Sequence, residues 1–70
     1  MYRNVLAEMK RQGLTGGNMA EELGITPGTF SQKVNGNYPF TFREAVKVKE
    51  ILKTDLPLEV LFEEFEEEAV

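Results

Sequence analysis

The sequence predicts an all-α fold of five short helices. Apolar residues recur at three- and four-residue spacing through most of the chain, without the strict alternation of a half-buried strand. Helix punctuation falls between these runs, at Gly13, Thr15, Gly24, Thr26-Pro27, Asn35-Gly36-Asn37, Thr41 and Pro57. Seventy residues without an internal repeat or a long linker read as one domain over 1–70, small enough to bury only about 60% of its unfolded surface.

Taken in order, residues 2–12 place Tyr2, Val5, Leu6 and Met9 on one helical face, and Gly13 suits the left-handed position that ends a helix. Thr15 is the expected N-cap of the second helix, whose inward stripe is Met19, Ala20 and Leu23. Gly16 and Gly17 are poor formers of its first turn, each costing up to about 1 kcal/mol relative to alanine. This start is expected to fray or to be closely approached by another group. A tight turn at Gly24 leads to a third helix, with Thr26 as N-cap and Pro27 at its first position. Pro27, Phe30 and Val34 are expected to face inward, and Gly28, Thr29, Gln32 and Lys33 outward, with Ser31 to one side.

Tyr38-Pro39-Phe40 reads as an extended connection pinned by its aromatics. Thr41 and Glu44 form the capping-box pattern of a fourth helix that runs to about Lys53, with Phe42, Ala45, Val46, Val48, Ile51 and Leu52 as a broad apolar stripe. Pro57 opens a fifth helix expected over 57–68, where Leu58, Leu61, Phe62 and Phe65 share a face. Its acidic last turn opposes the helix dipole, so fraying is expected there.

The net charge is −4, yet the charge is unevenly spread. Residues 1–53 hold all eight Lys and Arg against five acids, a net of +3, whereas residues 54–70 hold seven acids and no base, a net of −7. A mildly basic body with an acidic tail leaves a nucleic-acid partner open. The absence of cysteine and histidine removes thiolate chemistry, histidine metal ligation and a neutral-pH imidazole base. Ser31 has no evident base, the glutamate run lacks the spacing and glycine of a calcium loop, and no phosphate-binding glycine motif is present. No enzyme activity, cofactor or metal is therefore expected. Without a membrane-length apolar run or a secretory signal, the expected location is the cytoplasm.

Leu14–Gly36 resembles the Cro/repressor-type (XRE-like) helix-turn-helix family of phage and bacterial transcriptional regulators. The residues that carry the resemblance are Leu14-Thr15, Met19-Ala20, Leu23-Gly24-Ile25-Thr26, Thr29-Phe30-Ser31 and Asn35-Gly36, with Phe40–Ala45 and the apolar helix to Leu52 matching the family's fourth helix. It spans about residues 2–62 and implies a lambda-repressor-like DNA-binding domain, with the helix-turn-helix at about 15–35 and helix 26–35 in the major groove. The usual glutamine after the cap threonine is Gly16 here, and the first recognition positions are Pro27 and Gly28. Base reading then moves to Thr29, Gln32 and Lys33.

The chemistry of those three suits the task. A glutamine amide can pair bidentately with adenine, a lysine can donate to guanine, and a threonine methyl can meet a thymine methyl. Phosphate contacts call for donors at helix starts and in the loop after the third helix, which selects Thr15, Gly16, Gly17, Asn18, Ser31, Asn37, Tyr38 and Arg43. One such module makes few base contacts, so a homodimer on half-sites about 34 Å apart on double-stranded DNA is expected. Leu58, Phe62 and Phe65 offer its interface. A second reading, of a different class, is a protein-interaction module, an antirepressor or modulator that binds another regulator. The acidic tail, Pro27-Gly28 and Gly16 favour it.

Overall fold

The element order follows the punctuation: α1 (Arg3–Gln12), α2 (Gly16–Leu23), α3 (Pro27–Val34), α4 (Phe42–Leu52) and α5 (Leu58–Leu61). The computed structural model describes residues 1–64, and these contain no strand. Each boundary has a local cause. Thr15, Thr26 and Thr41 are extended N-caps whose hydroxyls accept the amide N–H three residues on. Both expected features of the fourth helix are present, since the Glu44 carboxylate also accepts the Thr41 N–H at 2.9 Å. A second capping box, not expected from the sequence, pairs Thr15 with Asn18.

Gly24 closes α2 at φ 72°, a left-handed conformation that an L side chain would strain. The Ile25 N–H then reaches back to the Ala20 carbonyl at 3.0 Å and the Gly24 N–H to Glu21 at 3.2 Å, so the turn is hydrogen-bonded on both sides. Lys53 ends α4 in the same conformation, at φ 50°, without the freedom of a glycine.

Val5, Met9, Met19, Ala20, Phe30, Val34, Val48, Leu52 and Leu61 form one buried cluster to which every helix contributes. An aromatic group adjoins it. Phe40 packs edge-to-face against Tyr2, Phe30 and Phe62, with ring centroids 5.5, 6.2 and 5.2 Å away. The N-terminus is held by the Tyr2 N–H, which donates to the Val34 carbonyl at 2.9 Å. Burial, reinforced by the charge of Glu64 and a hydrogen bond to it, raises the Tyr2 phenol above its ordinary pKa.

The structure corrects three expectations. Pro27 is exposed, because at the first turn of α3 it precedes the point where the helix meets the core; the inward face begins at Phe30. Phe42 is 77% exposed instead of joining the α4 stripe. Phe40, in the preceding loop, already fills the space among Tyr2, Phe30 and Phe62. The fifth helix is far shorter than 57–68. It ends at Leu61, with Pro57 as its N-cap, and residues 63–64 lie outside it. The Val60 carbonyl, which would receive the N–H of Glu64 in a longer helix, instead accepts Asn4 Nδ2 at 2.8 Å and the Glu63 N–H at 3.2 Å. Phe65 and the acidic residues 66–68 lie outside the described residues.

Candidate nucleic-acid interface

The α2–turn–α3 segment is the best candidate site, because α3 rests chiefly on α2 and buries only one side. Phe30 and Val34 point into the core, while Gly28, Ser31, Gln32 and Asn35 make an exposed stripe at i, i+3, i+4 and i+7. Thr29 and Lys33 flank that stripe and are half-buried. Helix phase causes this difference, since positions 29 and 33 sit one step round from the stripe, toward the core side.

Lys33 is committed elsewhere. Its Nζ lies 2.6 and 2.7 Å from the two carboxylate oxygens of Glu44, and its side chain is 14% exposed. Burial would raise the Glu44 pKa, but hydrogen bonds from Lys33 and Thr41 and the lysine's charge outweigh it and hold the carboxyl below its ordinary value. One carboxylate therefore caps α4 and ties α3 to it. In this arrangement the Lys33 ammonium is paired with Glu44 and not directed outward along the exposed stripe. The Thr29 hydroxyl is engaged at its own helix start, 2.9 Å from that of Thr26.

Gln32 remains fully on the exposed stripe. Its Oε1 accepts Asn37 Nδ2 at 2.6 Å, and its own amide nitrogen has no partner among the described residues. The loop that follows α3 folds back on the same residue, since the Asn37 and Tyr38 N–H groups both donate to the Gln32 carbonyl, at 2.9 and 3.4 Å.

The phosphate candidates divide. The Thr15 hydroxyl is used twice within its capping box, accepting from the Asn18 N–H at 3.1 Å and donating to Asn18 Oδ1 at 2.9 Å. Asn18 itself lines a groove with Glu21, Glu22, Glu50 and Lys53, a mixed-charge setting with more acids than bases. The Gly16 and Gly17 amides are the open N–H groups of the α2 N-terminus. Gly16 is the expected closely approached position, but the neighbour is Phe30, whose Cδ2 would lie 3.7 Å from an added Cβ. Ser31 is exposed and meets Asn35 Nδ2 at 3.5 Å. Tyr38 is 59% exposed, and Arg43 is exposed without an ion pair among the described residues.

Asn35, read from the sequence as a helix stop, also belongs to the outward stripe, a place that the i, i+3, i+4, i+7 series from Gly28 makes readable. The pairing of Gln32 with Asn37 had no sequence signal, because it depends on how the loop turns. Of the expected interface, Leu58 and Phe62 line a shallow groove of about 380 Å³ with Tyr2, Phe40, Phe42 and Ala45. Phe65, the third member, lies outside the described residues. No family model matches the chain, and no curated protein or solved structure is significantly similar to it.

Proposed function

We propose that this chain is a sequence-specific, DNA-binding transcriptional regulator of the Cro/repressor type that inserts α3 into the major groove of double-stranded DNA. The observation that carries the reading is the one-sided burial of α3. A helix with Phe30 and Val34 inward and a continuous polar stripe outward has the width and surface a major groove accepts. Donors flank it: the Gly16 and Gly17 amides on one side and Tyr38 and Arg43 beyond the loop. Gln32 is the principal base reader, with Ser31 and Asn35 beside it, and Lys33 serves as a clamp.

The groove beside Phe42, Leu58 and Phe62 supports pairing of two copies, since an exposed phenylalanine on an apolar rim is the kind of surface that association covers. The acidic C-terminal segment supports the rival reading of a module that binds another regulator. A binding titration separates the two, using the protein's own upstream intergenic DNA and a scrambled duplex at two salt concentrations. Selective binding is expected, weakening as salt rises, with the selectivity lost in Gln32→Ala at a cost of about 1–3 kcal/mol. Absence of selective binding at low salt overturns the DNA reading and leaves the interaction module.

A further inference from the structure

We infer that Asn37 is a specificity-determining positioning residue, which orients the Gln32 amide so that it presents donors and selects guanine. The inference rests on the DNA reading above and goes further, naming the base and the residue that sets it. A glutamine free to turn pairs bidentately with adenine, using its oxygen to accept from N6 and its nitrogen to donate to N7. Here the oxygen is engaged at 2.6 Å by Asn37 Nδ2, and Asn37 is placed by its own backbone N–H on the Gln32 carbonyl at 2.9 Å. The main-chain bond sets Asn37 beside Gln32, and the side-chain bond turns the carboxamide oxygen toward the loop. The opposite edge, the exposed NH₂, carries two donors. Guanine O6 and N7 are two acceptors on one major-groove edge, whereas adenine sets a donor beside its N7.

The test is selection from a pool of duplexes with a randomised core, with sequencing of the bound fraction, for the wild type, Gln32→Ala, Asn37→Ala and Asn37→Asp. All three substitutions fall at exposed positions, and circular dichroism verifies each fold. The wild type is expected to favour guanine roughly tenfold at one position per half-site, and Gln32→Ala to lose that preference. Asn37→Ala frees the amide, so adenine is admitted at the same position. Asn37→Asp can only accept, so it draws the NH₂ inward and turns the oxygen outward, favouring a base that donates, cytosine or adenine. A wild-type preference for adenine at the Gln32-dependent position overturns the inference, as does a guanine preference that both Asn37 variants retain. Enrichment that Gln32→Ala leaves intact also overturns it, while the DNA reading stands. No enrichment by the wild type overturns both.

Discussion

Glu44 is the residue on which most of the local order around α3 converges. Its carboxylate accepts from Lys33 Nζ and from the Thr41 N–H, and its own N–H is capped by the Thr41 hydroxyl at 3.1 Å. Because its pKa is lower in the folded chain than in the unfolded one, it stabilises the fold above the ordinary glutamate value and loses that contribution as pH falls through the depressed value. Urea midpoints of the wild type should therefore fall below about pH 4.3 more steeply than those of Glu44→Ala. At neutral pH that variant should be about 1–2 kcal/mol less stable, through the lost cap and the half-buried lysine left without its partner. Ala20 gives the complementary case, a small residue of α2 that is 1% exposed in the core cluster. Ala20→Leu overfills that cluster and is expected to cost about 1–3 kcal/mol in chemical denaturation.

The five helices differ in how well their ends are built. α2 and α4 have capping boxes and α3 a threonine cap with Pro27 behind it, whereas α5 has four residues and no side-chain cap. Lys53 ends α4 in a left-handed conformation that glycine adopts at little cost. Lys53→Gly should raise stability by up to about 1 kcal/mol, seen as a higher thermal midpoint. Gly24→Ala should do the reverse by about 1 kcal/mol, since nothing lies within 4 Å of an added Cβ and backbone strain alone acts. The loop between α3 and α4 is fixed by Phe40 at one end and by Asn37 on Gln32 at the other. Its order is part of the candidate interface.

For the whole molecule, the exposed Phe42 separates association from folding. Phe42→Glu replaces a side chain that is 77% exposed, so its effect on stability should stay within about 0.5 kcal/mol. If two copies meet across the groove it lines, sedimentation equilibrium should show a weaker dimer and DNA titrations a lower affinity, with base preference unchanged.

Much of this was legible in the residues themselves. Helix starts at Thr15, Thr26 and Thr41 and ends at Gly13 and Gly24 are set by local hydrogen bonding and backbone preference, which act within four residues and so are written in sequence. Val5 and Met9 on α1, Met19 and Ala20 on α2, and Phe30 and Val34 on α3 followed from helical spacing. Tertiary structure decided the rest, because those choices depend on partners distant along the chain. Asn4 takes the carbonyl that would have prolonged α5, Phe40 fills the place expected of Phe42, and Glu44 withdraws Lys33 from the surface. The sequence determined that α3 would have a polar outer face with Gln32 on it. Only the fold decided that Lys33 leaves that face for Glu44 and that Asn37 holds Gln32, because a side chain's partner is set by which elements meet in space.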